Sequence, residues 1–265
     1  MDLNQKPVIW LIGASTGIGY EMAATLAEKA SRLIISARSA DKLQTLAQKL
    51  QTQHPALILQ VLPFDLTDAT QRQAALATVA ELDWLILNAG TCEYVDMTEP
   101  EVDVGMYERV FNTNVLAPIA LFHACWPLLR QSTQPRLIGI SSSVTFSPLP
   151  RAQAYGTSKA AFSYWLLSMA TDLRPQGVLV QLVSPGFVDT PLTQQNDFKM
   201  PFLISAKQAA HRIQKGIDRR QVHIKFPRRF TFWLQFFGML PLSWQVAINS
   251  QLSRSRKQVR ASTPK

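Results

Sequence analysis

The sequence has little of what builds metal centres or disulfide frameworks. Only two of its 265 residues are cysteine, Cys92 and Cys125, and its four histidines show no ligand spacing. We therefore predict no metal site, and a reducing compartment, the cytoplasm, as the simplest location. Met1 to Gln5 is short and polar, which leaves no room for the apolar core of a secretory signal. The mature chain is expected to begin at Met1.

Acidic residues are missing from the last part of the chain. Residues 1–198 carry 13 Lys+Arg and 17 Asp+Glu, a net charge of −4, whereas residues 199–265 carry 14 Lys+Arg and Asp218 alone, a net charge of +13. Such asymmetry favours contact with an anionic surface, either membrane headgroups or nucleic acid, or a solvated tail. No recognised nucleic-acid-binding motif accompanies the charge, so we predict no nucleic-acid partner.

Apolar runs long enough to cross a bilayer are missing too. The aromatic stretch 230–244 is interrupted by Gln235 and Pro241 and falls short of the roughly 20 residues that a transmembrane helix needs. We predict an apolar, helical extension over 227–252 and a basic, disordered tail over 253–265.

Two interpretations of this extension remain open. It forms a substrate lid or an oligomer contact, or it lies on a membrane surface at the inner face. In the second case residues 228–260 contact the membrane, with the aromatic side chains facing the acyl boundary. The anionic headgroups would then be met by Arg228, Arg229, Arg254, Arg256, Lys257 and Arg260.

Short apolar runs alternate with helical patterns over residues 1–226. The predicted strands are 6–12, 33–37, 57–64, 83–87, a run from Leu137, 178–183 and 222–226. The predicted helices are 20–30, 40–53, one that ends at Leu82, 101–130, 155–174 and one from Ser205 to Asp218. The first three strands and the run from Leu137 are interpreted as buried. This alternation predicts an α/β domain with a seven-stranded, mainly parallel, doubly wound sheet and helices on both faces.

A glycine-rich loop joins the first strand to the first helix. Gly13, Gly17 and Gly19 are spaced Gly-x-x-x-Gly-x-Gly between an apolar strand and a helical stretch. Glycine permits a tight turn and lets backbone N–H groups and the helix N-terminus approach a pyrophosphate. The loop therefore predicts a dinucleotide site at this end of the strand.

The second strand ends in Arg38, with no acid before Asp41. In dinucleotide folds an acid at this point binds the ribose 2′-hydroxyl of NAD, whereas a basic residue accommodates the 2′-phosphate of NADP. Arg38 therefore predicts that NADP(H) is preferred over NAD(H), unless it is an ordinary surface arginine.

Polar residues follow the third and fourth strands. Asp65 could read an adenine edge, although Thr67 or Asp68 could instead begin a helix there. The small residues Asn88-Ala89-Gly90 would let a cofactor lie close to the backbone. A polar cluster at Asn112–Asn114 interrupts an apolar helical segment, as a satisfied core amide or as a water site at a kink.

Tyr155 and Lys159 are four residues apart on a predicted helix, so their side chains emerge on one face. A neighbouring ammonium favours the phenolate and is expected to lower the pKa of Tyr155, which suits acid–base chemistry. Ser142 lies where an apolar strand breaks into hydroxyls, as at a cleft, and could hold a substrate oxygen.

Together these stretches resemble the short-chain dehydrogenase/reductase family from about residue 7 to residue 226, which implies a single Rossmann-type domain. The resemblance implies a catalytic tetrad of Asn114, Ser142, Tyr155 and Lys159. The residues expected to bind the cofactor are Gly13, Ser15, Thr16, Gly17, Ile18, Gly19, Arg38, Asp65, Leu66, Asn88, Ala89, Gly90, Tyr155, Lys159, Pro185, Gly186, Val188 and Thr190. The chain departs from the family at Leu87, where a second asparagine is usual.

The resemblance implies hydride transfer between a nicotinamide cofactor and a carbonyl or secondary alcohol, with the tyrosine as acid or base. The apolar carboxy-terminal segment favours a small, hydrophobic carbonyl or alcohol as the substrate, and we expect a homo-oligomer, either a dimer or a tetramer. The alternative is a catalytically silent NADP-binding sensor or membrane-surface adaptor on the same fold.

Overall fold

The computed structural model describes residues 6–97 and 101–252, in which strands and helices alternate as predicted. The strands are β1 (Val8–Ile12), β2 (Arg32–Ala37), β3 (Ile58–Pro63), β4 (Trp84–Leu87), β5 (Arg136–Ile140), β6 (Leu179–Pro185), β7 (Val188–Asp189), β8 (Ile204–Ser205) and β9 (His223–Phe226). The helices are α1 (Gly17–Ala27), α2 (Ala40–Gln53), α3 (Ala69–Ala77), α4 (Gly105–Phe111), α5 (Ala117–Leu129), α6 (Gln153–Leu173), α7 (Ala206–Asp218), α8 (Arg228–Gly238) and α9 (Leu242–Asn249). A π-helix, Asn112–Leu116, joins α4 to α5, and a 3-10 turn, Ser143–Phe146, follows β5.

Seven strands form one sheet in the order β3-β2-β1-β4-β5-β6-β9. Every pairing in this sheet is parallel among the described residues, so the predicted seven-stranded, doubly wound architecture is confirmed. The chain winds outward from β1 to β3 and then crosses to β4. The connections that leave β1 and β4 therefore run in opposite directions and open a crevice at the carboxyl ends of these strands.

Helices cover both faces of the sheet because successive strand residues point to opposite sides. On one face, Ile9 and Leu11 pack with buried residues of α1, α2 and α7. On the other face, Trp10 and Ile12 pack with α3, α5 and α6. These two apolar layers hold the carboxyl ends of the strands in fixed relative positions.

Three predicted elements differ from the observed ones. The third strand, predicted to be buried, forms an edge of the described sheet, and its Ile58 is 56% exposed. The following helix ends at Ala77 rather than Leu82, because Thr78 bonds back to Ala75 and the chain then turns toward β4. The helical segment predicted over 101–130 begins only at Gly105, and the π-helix divides it at its polar cluster.

The carboxy-terminal extension is helical, as predicted, and packs on the α/β domain. Gly238 of α8 lies against the 3-10 turn so closely that a Cβ there would collide with the Phe146 carbonyl. Gln245 of α9 donates to the carbonyls of Gly238 (2.9 Å) and Leu240 (2.8 Å), which closes α8 and α9 into a hairpin. No helix in the described ranges is both long and apolar enough to cross a membrane. The predicted tail, 253–265, lies outside the described residues.

Candidate active site

The glycine loop adopts the shape that its sequence predicts. Gly13 has a φ of +84° and Gly17 a φ of +57°, a region that favours glycine. A Cβ on Gly19 would collide with the Gly13 carbonyl, which also accepts a bond of 2.8 Å from the Asn88 amide. Thr16 begins α1 without a side-chain cap, and the first turn holds no acid. The N–H groups of this helix end are therefore available to an anion.

A cleft of about 780 Å³ opens at the carboxyl ends of the strands. Of the residues predicted for cofactor binding or catalysis, those that line it are Gly13, Ser15, Thr16, Gly17, Ile18, Arg38, Asp65, Leu66, Asn88, Ala89, Gly90, Ser142, Tyr155, Lys159, Pro185, Gly186, Val188 and Thr190. The two others do not line the cleft. Gly19 is in the first turn of α1 and packs against the Gly13 carbonyl, and Asn114 is buried behind Gly90.

One end of the cleft is basic. Arg38 follows β2, and Lys42 lies in the first turn of α2, where its backbone N–H bonds the Ser39 hydroxyl that caps the helix (3.4 Å). Ser36, near the end of β2, accepts a bond from the Trp10 indole (2.8 Å), so this buried position holds a hydroxyl rather than an acid. The sequence reasoning missed Lys42, although its position four residues after Arg38 was a usable signal.

The polar residues after β3 divide into two roles. Asp65 accepts bonds from the backbone N–H (2.8 Å) and hydroxyl (2.7 Å) of Thr67, which fixes its carboxylate at the cleft wall. Asp68, not Thr67, begins α3, because it accepts the N–H groups of Thr70 and Gln71. The backbone bond from Gln71, more than the others, holds the pKa of Asp68 below its usual value.

The opposite end of the cleft holds the hydroxyls and the amine. Tyr155, near the start of α6, and Ser142 both line this end of the cleft, and the Ser142 hydroxyl accepts from the Val144 N–H at 3.2 Å. One turn further on, the buried Lys159 donates from Nζ to the Ile140 carbonyl at 2.9 Å. The end of β5 therefore positions both side chains. Ser142 follows the strand in the chain, and the Lys159 ammonium is held by the carbonyl of Ile140, the last residue of the strand.

Asn114 is a satisfied core amide, one of the two alternatives that its sequence context left open. Its Oδ1 accepts from the Thr91 N–H (2.8 Å), and its Nδ2 donates to the Thr91 carbonyl (2.9 Å) and the Ser158 hydroxyl (3.0 Å). These bonds tie the π-helix to α6 and to the loop after β4. A Cβ on Gly90 would lie 3.2 Å from both Asn114 Oδ1 and Lys159 Nζ, so only glycine leaves space between them and the cleft.

The pKa of Tyr155 differs from the sequence-based expectation. Burial raises it above the usual value, the Cys92 thiol raises it further, and the Ser142 hydroxyl opposes both. The expected lowering of the pKa by Lys159 is therefore wrong, and the Lys159 ammonium donates to the Ile140 carbonyl. Burial also lowers the pKa of Lys159 to about 8.

The sequence reasoning also missed an aromatic wall, which we define as Tyr94, Phe187, Phe198 and Phe230. Ring centroids lie 5.9 Å apart for Tyr94 and Phe198, 6.0 Å for Phe198 and Phe187, and 5.6 Å for Phe187 and Phe230. Phe230 packs closely on Gly186. A Cβ on Gly186 would lie 2.8 Å from the Phe230 ring. Burial raises the pKa of Tyr94, at the other end of the wall, above its usual value, and the Cys92 thiol and the Tyr155 phenol contribute to this rise.

No group of three or more His, Cys, Asp or Glu side chains suited to a metal ion occurs within residues 6–97 and 101–252. The site instead combines a glycine-rich anion cradle, a basic end, and a buried amine beside a phenol. This combination fits a phosphate-containing dinucleotide, with the phenol and the serine hydroxyl free to meet a substrate oxygen.

Comparison with known proteins identifies the family. Residues 7–200 match the family of short chain dehydrogenases. The chain belongs to this family. An uncharacterized oxidoreductase of Myxococcus xanthus is 31% identical over 249 residues, covering 91% of this chain and 89% of its own. A benzil reductase ((S)-benzoin forming) of Saccharomyces cerevisiae is 30% identical over 193 residues, covering 70% of this chain and 73% of its own. Membership makes the protein an oxidoreductase that acts on carbonyl and hydroxyl groups with a nicotinamide dinucleotide.

Solved structures agree on the fold. A short-chain dehydrogenase from Sphingobium yanoikuyae in complex with NADPH superposes with a TM-score of 0.76 at 24% identity, covering 98% of this chain and 97% of its own. A family member from Burkholderia phymatum in complex with NAD also gives a TM-score of 0.76, at 19% identity, covering 89% of this chain and 94% of its own. The two neighbours hold different cofactors, so the likeness extends to the fold and not to the choice between NADP and NAD.

Proposed function

We propose that the protein is an NADP(H)-dependent reductase of hydrophobic ketones or aldehydes, with Tyr155 as the proton donor. The observation that carries the proposal is a single cleft with Arg38 and Lys42 at one end and Ser142, Tyr155 and Lys159 at the other. The cofactor, when bound, supplies the hydride. The protein supplies binding, orientation and the proton.

The chemistry follows from the hydrogen bonds of the proposed tetrad. Ser142 and Tyr155, which line the same end of the cleft, would both contact the substrate oxygen. Because burial raises the pKa of Tyr155, its phenol carries a proton at neutral pH, which is the state needed to protonate the oxygen during reduction. Asn114 acts from behind as a positioning residue, since its amide holds the Thr91 backbone and the Ser158 hydroxyl.

The proposal is tested with NADPH, NADH and a panel of ketones, aldehydes and quinones, following oxidation of the cofactor. We expect turnover with at least one apolar carbonyl compound and a preference for NADPH. The rival is an NADP-binding sensor or membrane-surface adaptor without catalytic activity. Cofactor binding without turnover of any compound, and with no effect of Tyr155→Phe, would favour that rival.

The preference for NADP(H) is proposed from Arg38 and Lys42. Replacing Arg38 with alanine should weaken NADPH binding by about 10- to 100-fold and NADH binding by much less, because a charge-assisted bond to the 2′-phosphate is lost. Lys42→Ala should act in the same direction. Dissociation constants for the two cofactors measure the effect.

Lys49→Ala is the matched control, since Lys49 lies on the same helix α2 but away from the cleft. An equal loss of affinity for both cofactors in Arg38→Ala would show that this side chain does not face the 2′-phosphate.

The proposed hydrophobic substrate follows from the aromatic wall, whose Phe230 borders Gly186 of the cleft. The yeast relative is named for the reduction of benzil, which is consistent with an aromatic ketone here. Phe230→Ala should raise KM for a bulky aromatic ketone by about tenfold or more and leave NADPH affinity nearly unchanged. Steady-state kinetics and cofactor titration measure the two effects.

Phe232→Ala, two residues further along α8, is the control because Phe232 is 62% exposed. An unchanged KM in Phe230→Ala, or equal changes in the two variants, would remove the wall from the substrate site.

We further propose a cytoplasmic location and a homo-oligomer, either a dimer or a tetramer. Cys92 and Cys125 are free thiols, which is consistent with a reducing compartment. Tyr164 and Leu167 of α6 are 79% and 45% exposed on one helix face and could take part in a subunit contact. Sedimentation equilibrium measures the oligomeric state, and a monomer at all concentrations would contradict this proposal. The division at residues 226 and 252 likewise remains a prediction.

A further inference from the structure

Three polar side chains of the α8–α9 hairpin are buried against the domain, whereas eight of its large apolar side chains are exposed. Thr231, Gln245 and Asn249 are only 1%, 2% and 8% exposed. Gln245 bonds the carbonyls that close the hairpin and contacts the Ser147 hydroxyl, and Asn249 donates to the Pro148 carbonyl. A surface helix of a water-soluble domain normally has the opposite orientation. Polar anchors therefore help to hold the hairpin on the domain, while most of its large apolar side chains remain exposed to solvent in the described chain.

The outward side chains form one apolar and aromatic surface, which we call the docking face. It consists of side chains that are 46–77% exposed: Phe232, Trp233, Phe236, Met239, Leu242, Trp244, Val246 and Ile248. The ring of Trp233 lies 5.6 Å from that of Phe232 and 6.0 Å from that of Phe236, so these three rings of α8 are contiguous. A contiguous exposed apolar patch marks an interaction site.

The stretch of sequence that contains the docking face is basic and holds no acid. Arg228 and Arg229 are exposed at the start of α8. The sequence from 219 to 265 contains ten Lys and Arg residues and no Asp or Glu. Four of these cations, Arg254, Arg256, Lys257 and Arg260, follow directly after the hairpin and lie outside the described residues. The docking face therefore combines apolar side chains that could insert into a lipid layer with basic side chains that attract anions.

We propose that the α8–α9 hairpin docks the protein on an anionic lipid surface without crossing it. Tryptophan and phenylalanine beside Arg or Lys are the side chains of interfacial membrane helices, where the rings reach the acyl boundary and the cations meet the headgroups. A second copy of the chain fits less well, because a symmetric contact through this face would also bring the flanking arginines together without acids to pair them. A lid fits less well too, because the exposed rings point away from the domain.

Docking would also place the mouth of the cleft near the lipid. Phe230 contacts Phe202, with ring centroids 6.0 Å apart, and it borders Gly186 inside the cleft. Phe202 and its neighbour Leu203 are 54% and 44% exposed, so apolar surface continues from α8 to the rim. A hydrophobic molecule dissolved in the bilayer could reach the cleft along this surface. Docking itself does not require the proposed catalytic activity.

The test uses the full chain and phosphatidylcholine vesicles with or without about one third phosphatidylglycerol, at low and high salt, without cofactor or substrate. We expect the native protein to float with the anionic vesicles, less so at high salt and least with neutral vesicles. Trp233→Ser with Phe236→Ser should lower the partition coefficient by at least about tenfold. Arg228→Gln with Arg229→Gln should lower it by about tenfold or more on anionic vesicles only.

Ile58→Ser with Val104→Ser is the matched control, since these apolar side chains are 56% and 69% exposed elsewhere on the molecule. It should bind as the native protein does. The proposal is overturned if the native protein binds no vesicle in any condition, or if the docking-face variant binds as well as the control. A change of sedimentation coefficient in that variant, with no vesicle binding by the native protein, would assign the face to a subunit contact.

Discussion

The Tyr155→Phe variant is expected to turn over its substrate at least about 100-fold more slowly than the native protein, with NADPH affinity within about twofold. The substitution removes only the hydroxyl group, so the ring still fills its place beside Ser142 and the cleft keeps its shape. Loss of kcat without loss of cofactor binding is therefore the expected signature of a missing proton donor. Single-turnover kinetics and a cofactor titration measure the two quantities.

Tyr164→Phe provides the control for this result. Tyr164 lies on the same helix α6, is 79% exposed and does not line the cleft. Its variant should keep native kcat. If Tyr155→Phe retained more than about a tenth of the native rate, the phenol would not be the proton donor, because positioned acid–base catalysis contributes more than that.

Lys159→Met is expected to harm both binding and chemistry. The Lys159 ammonium is 5% exposed, is held by the Ile140 carbonyl and lines the cleft, where it would meet a cofactor hydroxyl. Without it, we expect NADPH affinity to fall by about tenfold or more and kcat to fall by about 100-fold or more. Lys49→Met, an exposed lysine outside the cleft, is the control. Unchanged NADPH affinity in Lys159→Met would show that the amine does not contact the cofactor.

The pH dependence of cofactor binding tests the same amine in the native protein. Burial lowers the pKa of Lys159 to about 8, so the ammonium is present below this pH and is lost as the pH rises through it. Affinity for NADPH should therefore fall above about pH 8, by at most tenfold per pH unit. Lys159→Met should bind weakly and without this dependence. A native affinity that stays constant from pH 7 to about 9.5 would contradict the assignment.

The central strands were predictable because each is a short apolar run that ends at a polar or glycine-containing motif. The sheet edges were not. β3 has the composition of a buried strand, but no described strand pairs with its outer side, so Ile58 faces solvent. The strands β7 and β8 have two residues each and carry no periodicity, and only the pairing of Val188 with Ile204 reveals them.

The candidate site was predictable where a local motif determines it. The glycine loop, Asn88-Ala89-Gly90 and the Tyr155/Lys159 pair depend on residues close together in sequence, or on a strand that ends beside them. The aromatic wall could not be predicted in this way, because Tyr94, Phe198 and Phe230 belong to separate segments that meet only in the folded chain. The pKa of Tyr155 was mispredicted for a related reason, since burial by the surrounding fold is invisible in a four-residue spacing.

The orientation of the carboxy-terminal extension on the domain likewise could not be predicted from the sequence. Its aromatic content was compatible with a lid, a subunit contact or a membrane helix. The inward direction of Gln245 and Asn249, which we use to support the membrane proposal, depends on the carbonyls of Gly238, Leu240 and Pro148 to which they donate. A hydrophobicity pattern records which residues are apolar, but not which side of a short helix meets the domain.

The most direct test of the central proposal, that the protein reduces a hydrophobic carbonyl compound with NADPH, is transfer of an isotopic label. The native protein is incubated with an aromatic ketone and with NADPH in which both hydrogens of the reactive nicotinamide carbon are deuterium, and the alcohol is examined by mass spectrometry. We predict one deuterium on the carbinol carbon of the product, and no labelled alcohol with Tyr155→Phe over the same time. Tight binding of NADPH with no labelled alcohol from any carbonyl compound tested would contradict the account.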